Sequence, residues 1–226
     1  MECEKVLMAL KAMGNADNVR GMARFGITSR HALGVGIPVL RKMAREAGRD
    51  QRLSLELWAS AILEARFLAA FVGDPAQVTE DQMESWVRDF DSWAVCDQVC
   101  MSLFDKTPYA YNKAVEWSQR DEEFVKRAAY ALMASLAVHD KEADDSKFAS
   151  FFPLIRAGSF DERNFVKKGV NWALRQIGKR NTALRNLAIS CAEEILRENS
   201  KSCRWVAKDA LRELQKKAPG DAGRAG

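Results

Sequence analysis

The sequence predicts an all-α protein, because its apolar residues recur at intervals of three or four through most of the chain. Gly and Pro interrupt helices, and here they gather at a few separated breaks: 34–38, 73–75, 107–108 and 219–226. We find no alternation of apolar and polar residues long enough to indicate a strand.

Three predicted helices resemble one another, which indicates an internal repeat. The segment 124–132 opens with Phe-Val-Lys-Arg, the segment 165–174 opens with Phe-Val-Lys-Lys, and the segment 205–211 continues the series. Their spacing is roughly 40 residues, the period of two-helix HEAT-like repeats. One such unit cannot bury its apolar face alone, so we expect stacked units in a curved α-α superhelix. We predict a single repeat domain over residues 1–217, with a disordered tail at 218–226.

Pro38 predicts where an early helix begins. Proline is favoured in the first turn of a helix, and the pattern after Pro38 continues to about Ala47. Gly34 and Gly36 precede it but do not indicate a phosphate-binding loop, because no predicted strand comes before them.

Composition limits the classes of function. With 226 residues, 47% of them hydrophobic, the chain can bury a core, and its net charge of +4 permits a polyanionic partner. The first five residues carry acids and lack the apolar region of a signal peptide, and no later segment could span a bilayer. We therefore expect a cytoplasmic protein that does not contact a membrane.

The five cysteines indicate free thiols, because their number is odd and no CxxC pair occurs. Cys96 and Cys100 share a helical face and could supply two metal thiolates. The only histidines are His31 and His139, however, and neither is close in sequence. We expect buried thiols, no metal and no cofactor, and the scarcity of histidine also disfavours a Ser-His or Cys-His nucleophile.

The segment 91–100 carries the strongest indication of function. At about 100° per residue in a helix, Asp97 falls on the same face as Trp93 and Cys100. Phe104 extends that face, which we expect to point inward. An ionised carboxylate facing an apolar interior is costly unless it has a partner or a task. Two interpretations stay open: an acid paired with a nearby arginine for stability, or a functional acid.

A predicted helix over 161–180 combines an apolar face with a basic one. The apolar arc should pack inward and contains Phe165, Val166, Gly169, Val170, Ala173, Leu174 and Ile177. A second arc carries Lys168, Arg175 and Lys179, and Trp172 lies on the border between the two. Trp172 is either an amphipathic packing residue or an aromatic plate beside an anion-binding surface. A nucleic-acid surface needs both cations for phosphates and flat rings for sugars or bases.

Arg127 is a third candidate residue. On its predicted helix it lies over Ala131, Ala134 and Val138, which we interpret as a strip of small residues that lets another chain approach closely. A solvated arginine is one interpretation. The other is a guanidinium fork for a phosphate or for Asp97.

With Trp93, Asp97, Arg127 and Trp172 on successive helical units, the chain resembles bacterial DNA alkylation-repair glycosylases. More narrowly, it resembles the AlkD-type family of HEAT-like repeat proteins. The matching segments cover nearly the whole chain except its C-terminal tail, and they are 22–27, 37–42, 64–67, 91–97, 124–129 and 165–175. The Trp-x3-Asp segment, followed by the arginine and the second tryptophan, is the most specific of them.

The resemblance implies an all-helical solenoid with a concave basic face for duplex DNA, and release of cationic N3- and N7-alkylated purines without a deep base-flipping pocket. It implies Asp97 as the catalytic carboxylate, with Trp93 and Trp172 as aromatic walls around the deoxyribose of the lesion. It implies Arg127 as a cation that contacts phosphate or orients Asp97. We expect a monomer, associated with the nucleoid, whose partner is duplex DNA containing alkylated purines.

The sequence also departs from this family's pattern. Ala94 stands where related sequences often carry another acid, and Phe25 stands where a tyrosine can occur. The N-terminal part is shorter than in some relatives. The alternative prediction is a non-catalytic HEAT-like repeat module that binds DNA structures or a protein, with Asp97 as a structural acid.

Overall fold

The structure, a computed structural model, describes residues 2–27, 29 and 31–216. Within those residues the regular elements are helices and no strand occurs, which confirms the predicted all-α class. None of the described helices is both long enough and apolar enough to cross a membrane. The predicted tail at 218–226 lies outside the described residues.

The chain divides into two compact units, Met1–Ala110 and Tyr111–Gly226. One repeat domain over residues 1–217 stays a prediction. The first unit contains the helices α1 (Cys3–Ala12), α2 (Ala16–Ala23), α3 (Ile37–Ala47), α4 (Gln51–Ala59), α5 (Leu63–Val72), α6 (Glu80–Arg88) and α7 (Trp93–Ser102), and a short 3-10 helix at Phe104–Lys106.

An aromatic cluster forms part of the core of the first unit. Trp58 and Trp86 stack with ring centroids 4.0 Å apart and planes 4° from parallel. Phe90 and Phe104 pack beside them. The Trp58 indole N–H donates to the carboxylate of Asp89 at 2.9 Å, which satisfies the polar group of a buried ring. Since Phe104 follows α7 closely, the cluster fixes the C-terminal end of that helix.

The second unit contains the remaining helices. The first of them begins at Ala110, the last residue of the first unit. They are α8 (Ala110–Ser118), α9 (Glu123–His139), α10 (Asp145–Ala149), α11 (Phe152–Gly158), α12 (Asn164–Gly178), α13 (Thr182–Leu196) and α14 (Lys201–Leu214). The three similar segments lie in α9, α12 and α14, as the repeat predicts.

Helices α9 and α12 pack against each other, and glycines permit close approach around them. A Cβ on Gly169 of α12 would lie 3.5 Å from side-chain atoms of Arg127 and Tyr130 on α9. At Gly158 of α11, a Cβ would lie only 1.9 Å from the Tyr130 hydroxyl oxygen, so no larger residue fits without displacing that ring.

Several predicted details are confirmed. Pro38 stands in the first turn of α3, which ends at Ala47. The predicted inward arc of α12 is buried, apart from Phe165, which is half-buried. One further contact was not predicted. Arg180 closes the end of α9 by donating to the carbonyl oxygens of Ala137 and Asp140 at 3.0 and 2.8 Å, where a cation is favourable.

Candidate functional site

Trp93 and Asp97 lie one turn apart on α7. Ser92 precedes the helix with an extended backbone (φ −153°, ψ 157°), so Trp93 is the first helical residue and Asp97 belongs to the second turn. At the other end, the ammonium of Lys106 donates to the last two carbonyl oxygens of the helix, at 3.1 and 2.7 Å. The C-terminal end of α7 is thus fixed by a neighbouring group, whereas the Ser92 side chain makes no capping hydrogen bond at the N-terminal end.

The Trp93 ring is held by a part of the chain far away in sequence. Its indole Nε1–H donates to the carbonyl oxygen of Phe25 at 2.9 Å. Phe25 lies in the turn after α2, and its own side chain is 72% exposed. Trp93 is half-buried, so its ring keeps an accessible surface.

The expected inward face of α7 needs correction. Cys100 and Phe104 are completely buried, whereas Trp93 and Asp97 are half-buried at the edge of that face. The physical reason is that the buried face of α7 is centred on Val95, Cys96, Val99 and Cys100, and Trp93 and Asp97 lie to one side of that arc. Asp97 is therefore partly open to solvent and is not enclosed in the core.

The charge of Asp97 acts on a buried neighbour. Burial raises the pKa of the Cys100 thiol well above its usual value, and the hydrogen bond to Cys96 and the charges of Asp97 and Asp105 add to that increase. Cys100 is therefore a neutral thiol near pH 7, and a neutral thiol is neither a good nucleophile nor a thiolate ligand. All five cysteines are thiols outside any disulfide, as the sequence predicts.

Arg127 is buried, which contradicts its interpretation as a solvated residue. It is 6% exposed, and its guanidinium donates to the Phe165 carbonyl oxygen at 2.5 Å, in the first turn of α12. The strip interpretation is also wrong in part, because Ala131 and Ala134 are already completely covered and only Val138 is exposed. A guanidinium in this position can hold α12 in register with α9.

The cations predicted on α12 project from one side of that helix. At about 100° per residue, Lys168, Arg175 and Lys179 fall within about 60° of Trp172 around the helix axis. Lys168 and Lys179 are exposed, while Trp172 and Arg175 are half-buried. The indole therefore lies beside cations, as the sequence suggests.

Two of these cations already have carboxylate partners. Arg175 pairs with Glu213 of α14 and lies 3.9 Å from Asp209, and Lys179 pairs with the same Glu213. Burial opposes ionisation of Glu213, but hydrogen bonds from Lys179 and Arg175 outweigh it and lower the pKa of that carboxyl below its usual value. Arg175 and Lys179 thus bind α12 to α14 and have less charge to offer a phosphate than Lys168 has.

Helix α14 carries a basic surface that the sequence interpretation missed. We call it the α14 stripe, four exposed cations on one side of the helix: Lys201, Arg204, Lys208 and Arg212. Trp205 lies beside it, 40% exposed, with the Lys167 ammonium 5.3 Å from its ring centroid. Within the described part of the chain, only Arg212 of the stripe forms an ion pair, with Asp209. The spacing of three or four residues between the cations is visible in the sequence and could have revealed the stripe.

The structure therefore places the candidates in two groups. Trp93 and Asp97 share α7 of the first unit. Arg127, Trp172 and the predicted cations belong to the second unit, on α9 and α12. Among the described residues there is no group of three or more side chains suited to hold a metal ion.

A family model described as DNA alkylation repair enzyme matches residues 6–214, nearly the whole chain. The chain belongs to the DNA alkylation repair enzyme family. No curated protein sequence matches this family member.

Several solved structures are similar to this DNA alkylation repair family member. One belongs to a family of proteins related to the HEAT-like repeat DNA glycosylases, with affinity for branched DNA structures. It is 18% identical, covers 95% of this chain and 96% of its own, and superposes with a TM-score of 0.78. A designed armadillo repeat protein in complex with the peptide (KR)4 is 15% identical over 77% of this chain and 91% of its own, with a TM-score of 0.41. The first match confirms the predicted α-α superhelix of HEAT-like repeats.

Proposed function

We propose that this protein is a DNA glycosylase that hydrolyses the N-glycosidic bond of cationic N3- and N7-alkylpurines in duplex DNA. The observation that carries the proposal is the pair on α7: a half-buried carboxylate, Asp97, one turn after an indole whose N–H is anchored on Phe25. Membership of the DNA alkylation repair enzyme family supports it.

The chemistry of the substrate defines what such a site must do. Alkylation at N3 or N7 gives the purine a positive charge, so the base leaves as a neutral molecule when it takes the electron pair of the glycosidic bond. The deoxyribose C1′ becomes electron-poor as that bond breaks. Water then adds to C1′ and loses a proton, which leaves an abasic site. The main task of the enzyme is to stabilise the positive charge that develops on the sugar.

Asp97 is the group that we propose for this task. Two opposite unit charges about 4 Å apart attract by about 4 kcal/mol at an effective dielectric constant of about 20, a value suited to a half-buried position. The same carboxylate can orient the attacking water and accept its proton. The face of Trp93 would add cation–π stabilisation of about 1–2 kcal/mol where water is excluded. Trp172 stays a predicted second aromatic wall.

Arg127 is better suited to positioning than to contact with DNA. A phosphate contact requires an accessible guanidinium, whereas Arg127 is 6% exposed and donates to the Phe165 carbonyl oxygen. Because Phe165 lies two turns before Trp172 on α12, this hydrogen bond can fix the helix that presents the second indole.

The phosphate contacts are proposed for Lys168 and the α14 stripe. Lys168 and the stripe cations Lys201, Arg204 and Lys208 are exposed, and they form no ion pair within the described residues. Exposed cations without carboxylate partners can replace the counterions of DNA phosphates. Arg175 and Lys179 would contribute less, since Glu213 partly neutralises them. We propose that the protein acts on DNA as a monomer.

A second candidate function is DNA binding without base excision. The similar structure described above belongs to a family with affinity for branched DNA structures, which favours this alternative. Under this second function, Asp97 would be a structural acid and the basic residues would bind phosphates of a branched duplex.

Base release from methylated DNA distinguishes the two functions. Purified protein in excess is incubated with methylated duplex DNA, and free bases are separated by chromatography. The proposal predicts release of 7-methylguanine or 3-methyladenine above the spontaneous rate, and none of the unmodified bases. Binding to branched DNA without any release would support the second function and reject the glycosylase.

A further inference from the structure

Glu64 is a completely buried acid that holds a loop. It is 0% exposed, and its two carboxylate oxygens accept backbone N–H groups of Leu33 and Gly34, at 2.8 and 2.6 Å. Buried polar groups need such partners, because an unsatisfied one is costly. Glu64 lies on α5, so these hydrogen bonds fasten the loop at 33–34 to that helix.

The same loop holds the start of α2. The Leu33 carbonyl oxygen accepts the N–H of Asn15 at 2.7 Å, and the Gly34 carbonyl oxygen accepts the side-chain amide of Asn18 at 2.9 Å. The approach is close, since a Cβ on Gly34 would lie 2.2 Å from the Asn15 carbonyl oxygen. Gly34 also has a φ of +80°, which glycine adopts readily.

Hydrogen bonds matter unusually for α2, because none of its residues is buried. Without a buried face, the helix gains little positional restraint from packing. Its C-terminal turn is closed by the bond from the Phe25 N–H to the Met22 carbonyl oxygen at 2.9 Å. The Phe25 carbonyl oxygen is the acceptor for Trp93 Nε1–H.

We propose that Glu64 is a positioning residue for Trp93, which it orients through the loop at 33–34, α2 and the carbonyl group of Phe25. Its carboxylate fixes the loop, the loop fixes Asn15 and Asn18, and α2 then fixes the acceptor of the indole. The functional consequence rests on the proposed role of Trp93 in base release. The structural part stands on the contacts within the first unit.

The test is hydrogen exchange at the Trp93 indole in Glu64→Gln. A glutamine amide offers one acceptor oxygen, and its NH2 group would face a backbone N–H, so one of the two hydrogen bonds is lost. Loss of a buried hydrogen bond shifts an equilibrium by about one order of magnitude. Nitrogen-15 spectra resolve the indoles of the six tryptophans, and Trp93→Phe identifies the signal. We expect the Trp93 Nε1–H to exchange about tenfold faster in Glu64→Gln.

A second variant and a control keep the test decisive. Asn18→Ala removes the hydrogen bond from the Asn18 side chain to the Gly34 carbonyl oxygen, and it should also accelerate Trp93 exchange. If Glu64→Gln does not fold, Asn18→Ala alone decides the test. Ser54→Ala removes another buried hydrogen bond of the same unit, from the hydroxyl to the Ala69 carbonyl oxygen at 2.8 Å, and should leave Trp93 unchanged. Unchanged Trp93 exchange in folded Glu64→Gln or Asn18→Ala overturns the proposal, and so does equal acceleration in Ser54→Ala.

Base release provides the functional readout. With protein in excess, we expect the release rate of Glu64→Gln to fall by up to about tenfold while its DNA dissociation constant stays within about twofold, since no cation is removed. Full release by a variant with a loosened indole would overturn the functional consequence. If the wild type releases no base, the proposed function fails, and the exchange measurement still decides whether Glu64 positions Trp93.

Discussion

The α14 stripe predicts how the affinity for DNA depends on salt. Each lysine or arginine that neutralises a phosphate adds about 0.9 to the slope of log Kd against log salt concentration. Lys201, Arg204 and Lys208 are exposed and unpaired within the described residues, so replacing all three with glutamine should lower the slope by about 2.7. Between about 0.05 and 0.2 M salt, the wild type should therefore lose about 40-fold more affinity than the variant loses.

The assay is fluorescence anisotropy of a labelled duplex at several salt concentrations, with circular dichroism to verify folding. The matched control is the double variant Arg175→Gln, Lys179→Gln. Both of its cations pair with Glu213. Per charge removed, the slope should therefore change by less than half as much as in the triple variant, while the stability of the protein falls. An unchanged slope in the folded triple variant would refute the assignment of phosphate contacts to α14.

Two further predictions concern stability. Gly158→Ala should lower the free energy of unfolding by about 1–3 kcal/mol in urea titrations, because the new Cβ would lie 1.9 Å from the Tyr130 hydroxyl oxygen. Gly21→Ala in α2, where a Cβ meets nothing within 4 Å, should instead be neutral or stabilising by up to about 1 kcal/mol. Equal losses of unfolding free energy in the two variants would contradict the packing explanation. The pKa of Glu213 is lowered in the folded state, so its contribution is present above its ordinary pKa of 4.5 and is lost as the pH falls through the folded value. Thermal unfolding should show a shallower loss of stability in acid for Glu213→Gln, and an identical pH profile would contradict this.

The helical architecture could be predicted because its signal is local. The segments in α9, α12 and α14 repeat the same apolar pattern at roughly the same interval, and Pro38 indicates the start of α3 directly. The buried arc of α12 follows from its periodicity alone.

The partners of the candidate residues could not be predicted, because they depend on residues distant in sequence. Trp93 donates to a carbonyl oxygen 68 positions earlier, and Arg175 pairs with a carboxylate 38 positions later. The burial of Arg127 likewise depends on how α12 packs on α9. Periodicity identifies the face of a helix, but it does not identify which helix covers that face.

Single-turnover base release by Asp97→Asn tests the proposed chemistry most directly. Asparagine keeps the shape and loses the charge, and removal of up to about 4 kcal/mol of charge stabilisation corresponds to a rate about 10² to 10³ times lower. Asp91→Asn, an exposed acid two residues before Trp93, removes the same charge as a control. We predict that Asp91→Asn and the wild type release 7-methylguanine at similar rates, while Asp97→Asn binds DNA normally and releases almost none. Release by Asp97→Asn at the wild-type rate would contradict the assignment of a catalytic carboxylate.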